Sequence, residues 1–377
     1  MKLLFWFSFI VLAYVYAGYP LLMALAGAVK ASKRKAETGE LEVYPQATLM
    51  IAAYNEEKVI RKKLENSLSL DYAAGKLEIM VVSDGSTDAT DEIVKEYGSK
   101  GVKLTAFAER QGKTVALGRS VGAAGGEIIV FSDANGMYRK DALKKLLRHF
   151  RDGAVGCVCG NLLYEGRDRG ENLYWKLEEK LKKAENSAGA ILGAAGSIFA
   201  VRKSAYVPLR IPVVDDFIEP LLVYQNGYGV VFEPEAVSVE KMAETITGEY
   251  GRKTRIITRS LAGLPNIAGL FNPFRHGLFT VQLVSHKLLR WLAPFFLIGL
   301  FVSSLFQSGV LFYKLALLAQ LSFCLLGMAG YFLDRQKSGI RLFSVPLYFL
   351  VVNLAALNAW YNRLRGEKMI KWDTKRI

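Results

Sequence analysis

Two blocks of apolar sequence bracket this chain and limit what it can be. From Leu3 to Gly27 nearly every residue is apolar. That is enough for a bilayer core, which takes about 20 residues in a helix, and longer than the roughly 7–15 apolar residues of a secretory leader. Three more apolar stretches lie near the other end, Leu292–Phe306, Val310–Leu333 and Leu342–Tyr361. Between them the charged content is ordinary, as in a globular domain held by membrane anchors. The pattern predicts a membrane helix over 1–30, a middle domain over 45–260, interfacial amphipathic helices over 265–291, membrane segments over 292–362 and a basic tail over 363–377.

Charge sets an orientation. Lys30, Lys33, Arg34 and Lys35 follow the first apolar block, and basic flanks stay on the cytoplasmic side. The middle domain is therefore expected to face the cytoplasm from a multi-pass position in the cytoplasmic membrane. Asp334, Arg335, Lys337 and Arg341 place another loop on the same side. If all three C-terminal segments cross, the basic tail lands outside, against the same rule. Otherwise one of them is interfacial or re-entrant, with the segment carrying Pro346, Asn353 and Asn358 the first choice. The net charge of +14 sits largely beside the apolar blocks, which favours anionic lipid headgroups over nucleic acid as the partner. Three cysteines, two of them in "VGCVCG", offer no second pair for a zinc site and read as a buried strand and a reducing compartment. The three histidines lack metal-ligand spacing and are expected on helix surfaces.

The middle domain repeats one design. "ATLMIAAYNEE" (47–57), "LEIMVVSDGSTDAT" (77–90) and "GEIIVFSDANG" (126–136) are each a buried strand ending in a polar turn, with helical sequence after it. Such alternation predicts an α/β fold, a mostly parallel sheet covered on both faces. Gly-x-Gly-x-x-Gly and the full phosphate-loop pattern are absent; "RQGKT" has Gly-Lys-Thr without the upstream glycine. Parallel strands still deliver Asp84 and Asp133 to the same sheet edge, where open α/β sheets bind ligands. Ser86, Thr87 and Asp88 are expected to cap the helix that follows Asp84. Asp133 and Asn135 make a hard-oxygen pair suited to Mg2+ or Mn2+. Lys113 adds a cation beside a glycine turn. "GAILGAAGSIFAVRK" gathers Gly189, Gly193 and Gly196, which allow close approach to the backbone. "VVDDFIEPLL" opens a helix with two acids, Asp215 and Asp216, where a cap needs one.

In their order, these motifs resemble the membrane-integrated inverting glycosyltransferases of family 2, the group that includes cellulose, chitin and hyaluronan synthases. The resemblance covers about residues 45–260 and implies a GT-A fold that binds a nucleotide sugar, UDP-linked by family analogy. It implies that Ala53, Tyr54, Glu56 and Asp84 lie near the base and ribose and that Lys113 reaches the nucleotide. Asp133 and Asn135 would hold the metal ion. "VDD" stands where the family has Thr-Glu-Asp, which makes Asp216 the general base that deprotonates the acceptor hydroxyl. Gly193, Gly196, Asp215 and Trp175 fall to the acceptor. "EYGRKTR" replaces the Gln-x-x-Arg-Trp of processive enzymes: Arg252 keeps the cation and Arg255 adds another, but Glu249 and Lys253 replace the Gln and the aromatic. A diphosphate clamp survives that change and a sugar-stacking platform does not. The implied activity is transfer of one or a few sugars to a membrane lipid or lipid-linked glycan. Alternatives are a polyprenyl-phosphate sugar synthase of the same family and a membrane-tethered nucleotide-sugar sensor without turnover. A pore is disfavoured by the few ionisable residues in the apolar segments.

Overall fold

The computed structural model describes residues 1–31, 43–165, 170–189, 191–209, 213–241, 245–335 and 341–367. The linker basic residues Lys33, Arg34 and Lys35, and the tail from residue 368, lie outside them. Eight strands are described: β1 (Ala47–Ala53), β2 (Leu77–Asp84), β3 (Val102–Phe107), β4 (Ile128–Asp133), β5 (Met137–Tyr138), β6 (Val155–Glu165), β7 (Phe199–Arg202) and β8 (Gly229–Lys241). They form one sheet in the order β3-β2-β1-β4-β7-β6-β8-β5.

The expected α/β design holds where the apolar runs are longest. Strands β3, β2, β1 and β4 are parallel neighbours, and every residue of β1 is buried, as a parallel strand covered on both faces requires. Alternate side chains feed two cores. Leu49 and Ile51 pack with Ile60 and Leu64 on one face, while Met50 and Ala52 pack with Ala116 and Leu117 on the other. Beyond β4 the sheet is mixed, because β7 runs antiparallel to both β4 and β6. Cys157 and Cys159 are buried in β6 as free thiols, as their small apolar surroundings predicted.

Register sets up the site. Ala53 pairs with Ser83 and Ala52 with Asp133, so the carboxyl ends of β1, β2 and β4 open on one edge. The turns after β1 and β2 are laced together. Asn55, at φ +53°, accepts a hydrogen bond from Thr87 N at 2.8 Å, and Glu56 N donates to Thr90 Oγ1 at 2.8 Å. Asn55 N donates to Ser86 Oγ. Ser86 and Thr87 thus tie turn to turn rather than capping the next helix, and only Asp88 takes a cap-like bond, from Thr90 N at 3.0 Å.

Among the described residues, four helices are long and apolar enough to cross a membrane: Lys2–Val29, Leu278–Phe306, Leu311–Leu333 and Leu342–Leu364. The second begins well before Leu292, so much of the stretch expected to be interfacial belongs to it; short pieces over Leu264–Phe271 and Pro273–His276 precede it. The last helix lies along the helix Ile246–Gly263 of the middle domain, with Ala356 and Ala359 against Ile257 and Leu261. Its asparagines find protein partners: Asn353 donates to Phe349 O and Asn358 to Tyr250 Oη, both at 2.9 Å. Those polar residues thus serve helix packing. His286 corrects the expectation of surface histidines, since it is buried between two glutamates.

Candidate active site

At the sheet edge Asp133, Asp215 and Asp216 gather about one cation, Lys113. Lys113 starts the helix Lys113–Ser120, and its Nζ lies 2.8 Å from Asp133 Oδ1 and 3.3 Å from Asp215 Oδ2. Thr114 Oγ1 donates to Val213 O at 2.8 Å, which fastens the Lys113 helix to the segment leading into Asp215 and Asp216. Those two acids form the first turn of the helix Asp215–Gln225, where negative charge is favourable. Burial opposes the Lys113 ammonium, but Asp133, Asp215 and Asp216 outweigh it and hold its pKa above the ordinary lysine value.

Asp216 has the opposite environment. Burial and then the neighbouring Asp215 push its carboxyl up to about 6, with Lys113 pulling the other way. A carboxylate tuned toward neutrality suits proton abstraction. The glycine segment is shaped around it. A β-carbon at Gly196 would press on Asp216 Oδ2 and Lys113 Nζ, whereas one at Gly193 would meet Asp216 O at 3.4 Å. Ala194 N donates to that same carbonyl at 2.6 Å. Gly193 and Gly196, read as acceptor residues, thus sit against the acid pair.

Asp84 is placed at the edge as expected, but its two oxygens accept from Gln111 N at 2.7 Å and Gly112 N at 2.8 Å. Buried in this way, it anchors the loop that delivers Lys113. Gly85, at φ +73°, is needed there because a β-carbon would lie 2.8 Å from Arg110 N. Arg110 in turn stacks its guanidinium 3.7 Å above the Tyr54 ring. Ala53 is buried at the end of β1, and Glu56 is buried at the start of the next turn.

Arg252, expected to keep the diphosphate cation, is held by protein groups on its own helix and on β6. It makes two bonds to the buried Glu249, at 2.7 and 3.0 Å, and one to Tyr164 Oη at 2.9 Å. Tyr348 of the last membrane-length helix donates to the same glutamate at 3.3 Å. On the same helix as Arg252, Arg259, one turn after Arg255, lies within the electrostatic reach of Asp215. Burial, and then Arg255, lower its pKa to about 10, Asp215 acts to raise it, and Arg110 adds to the lowering. Arg110 and Arg259 were not singled out by sequence; the signal was the spacing of Arg252, Arg255 and Arg259 at i, i+3 and i+7 along one helix face. Trp175 belongs to the helix Gly170–Ala188, and its side chain lies outside the described residues.

For a metal ion, Asp133 offers a partly exposed carboxylate, and Asn135 stands beyond it with no side-chain hydrogen bond among the described residues. No group of three His, Cys, Asp or Glu side chains that could hold an ion occurs among the described residues. The donor set fits a hard divalent ion that takes its remaining oxygens from a ligand's phosphates. The turn is braced from behind by Lys63, which is fully buried, donates to Gly136 O and lies 4.1 Å over the Tyr138 ring.

A sheet of this order with an acid-lined edge has the GT-A fold. Residues 48–208 match the model for Glycosyl transferase family 2. Among curated relatives, poly-beta-1,6-N-acetyl-D-glucosamine synthase of Staphylococcus aureus (strain COL) is 28% identical over 221 residues, 55% of this chain and 53% of the relative. Beta-monoglucosyldiacylglycerol synthase of Synechocystis sp. is 32% identical over 175 residues, 42% of this chain and 36% of the relative. The matched regions thus span about half the first relative's length and about a third of the second's. A mannosyltransferase from Pyrobaculum calidifontis, solved in complex with GDP-Man and Mn2+, shares the fold with a TM-score of 0.74 at 21% identity, over 97% of this chain and 100% of that one.

Proposed function

We propose that this chain is a membrane-bound inverting glycosyltransferase. It moves a sugar from a nucleotide donor, in the first reading a UDP sugar, to a membrane lipid or lipid-linked glycan at the cytoplasmic face of the cytoplasmic membrane. The observation that carries this reading is the arrangement of Lys113 between Asp133 and Asp215, with Asp216 next to them and raised toward neutrality.

In this reading the Tyr54–Arg110 stack and the turn anchored by Asp84 form the nucleoside end. Arg259 and Arg255, with Lys113, face the diphosphate, where charge-assisted bonds are strongest. Asp133 and Asn135 would hold Mg2+ or Mn2+, which when bound would screen the charge of the departing diphosphate. Asp216 accepts the proton of the acceptor hydroxyl as its oxygen forms a bond to the anomeric carbon, while the bond from that carbon to the diphosphate oxygen breaks on the opposite face. One displacement inverts the anomeric configuration.

The test is a panel of UDP and GDP sugars with the full chain in detergent, membrane lipid extract, and Mg2+ or Mn2+, scored for nucleoside diphosphate release. The expected result is release from one donor well above the rest, lost with a chelator and restored by the metal. No release from any donor under any of these conditions would move the chain to the binding-only alternative.

A further inference from the structure

The helix Asp215–Gln225, which opens on the acid pair, contains a residue that helices disfavour. Asp215 is its first residue, after the N-cap Val214, so Pro220 lies beyond the first turn, where a missing N–H would cost nothing. Pro220 is buried and, among the described residues of the middle domain, is the one proline set inside a helix. Pro294 and Pro346 also stand within helices, but in membrane-length ones, where proline is tolerated.

The carbonyl that this proline deprives is that of the base. A residue with an N–H at 220 would donate to the carbonyl four positions back, which belongs to Asp216, and the proline ring also crowds that oxygen off the helix axis. Asp216 O accepts instead from outside the helix, from Ala194 N at 2.6 Å. Ala194 lies in the glycine segment, and the segment is held again just beyond it. Lys113 Nζ donates to Gly196 O at 3.5 Å, and Ile198 N closes a turn on Ala195 O at 2.9 Å. One end of this short span is thus tied to the main chain of Asp216. The other lies against its carboxylate, where a β-carbon on Gly196 would come within 2.9 Å of Oδ2.

We propose that Pro220 is a positioning residue for the base: by withholding the helical donor it leaves the Asp216 carbonyl as the dock for Ala194 N, and so fixes the 193–196 segment across the Asp216 carboxylate. The inference rests on the transferase reading for Asp216, but the latch itself is testable without turnover. An N–H placed at 220 gives Asp216 O its helical partner and draws that oxygen toward the helix axis, away from Ala194 N. The helix gains a bond and the segment loses one. Stability and catalysis then move in opposite directions, whereas loss of a residue that only packs lowers both.

Pro220→Ala and Pro220→Val both restore the N–H, one with a smaller side chain and one with a larger. The full chain in neutral detergent is followed by amide hydrogen exchange over 193–196, by thermal melting and by donor kinetics. Exchange over 193–196 should quicken by at least about tenfold in both variants. Pro220→Ala should melt at or above the parent temperature, since alanine is the better helix former. Its kcat should fall about tenfold, with KM for the donor within about threefold, as for a misplaced reacting group. Pro346→Ala, in the last membrane-length helix, is the control and should leave exchange over 193–196 as in the parent. Unchanged exchange in Pro220→Ala would overturn the proposal, as would equal quickening in Pro346→Ala. A Pro220→Ala chain that melts well below the parent, with KM rising as kcat falls, would reduce the proline to packing and overturn it too. If the parent transfers no sugar while exchange follows the residue at 220, the transferase reading fails and the latch stands.

Discussion

A β-carbon on Gly196 would stand 2.9 Å from Oδ2 of Asp216, and 3.3 Å from Nζ of Lys113. The main chain at 196 therefore presses against both side chains, and an added methyl has no room unless they shift. Gly196→Ala should lower kcat by about 100-fold, the scale of an ångström-sized misplacement at a reacting centre. Gly193→Ala, whose nearest neighbour is at 3.4 Å, should cost far less. Comparing kcat of the two folded variants checks this; equal losses would contradict it.

The acid pair fixes a pH response. Asp216 must be ionised to act as a base, and burial with the Asp215 charge raises its pKa to about 6. The rate profile kcat/KM should fall about tenfold per unit below pH 6 and level off above it. Asp215→Asn removes the like charge, so the acidic limb should move to lower pH. A limb that does not move in this variant would sink the assignment.

Glu219 gives a stability prediction of opposite sense to the usual carboxylate. It is buried on the helix Asp215–Gln225 and accepts a bond from Val207 N at 2.9 Å, and burial raises its pKa to about 8. The folded state keeps the proton through a range in which the unfolded chain, with an ordinary pKa of 4.5, has lost it. This group's contribution to stability is therefore complete below pH 4.5 and is lost as pH rises toward 8. Glu219→Gln should flatten that part of the melting temperature profile, measured by intrinsic fluorescence in detergent.

Two arginines on one helix should separate by their losses. Arg259→Gln removes a cation near Asp215 and should raise the donor dissociation constant about 10-fold or more, as for charge-assisted bonds to phosphate. Arg252→Gln breaks the fork to the buried Glu249 and should instead destabilise the fold by about 1–3 kcal/mol. Adding Glu249→Gln to Arg252→Gln should return part of that loss, because no buried carboxylate is then left with only Lys253, at 3.7 Å, and Tyr348 beside it. Donor titration and thermal melting, run on both arginine variants, distinguish the two roles.

The parallel strands β1, β2 and β4, and the edge their ends share, were readable because these are continuous apolar runs ending in polar turns, and burial on both faces leaves such runs little choice. Asp133, Lys113, Asp215 and Asp216 could be picked out for the same reason, as polar residues at ends of buried elements. The sequence does not tell where a side chain aims once it is there. Asp84 turns both oxygens onto its neighbouring loop, and Arg252 turns onto Glu249. Arg259 was passed over because a basic residue on an amphipathic helix reads as a solvated face until the helix is docked. His286 was placed on a surface because a lone histidine in an apolar segment gives no sign of two glutamates over 100 positions upstream.

The most direct test of the central claim is single-turnover transfer by Asp216→Asn beside the parent chain, with donor affinity measured on the same samples. The account predicts donor affinity within about threefold of the parent and transfer lower by at least about 100-fold, the contribution of a lost general base. Transfer by Asp216→Asn at the parent rate would contradict it.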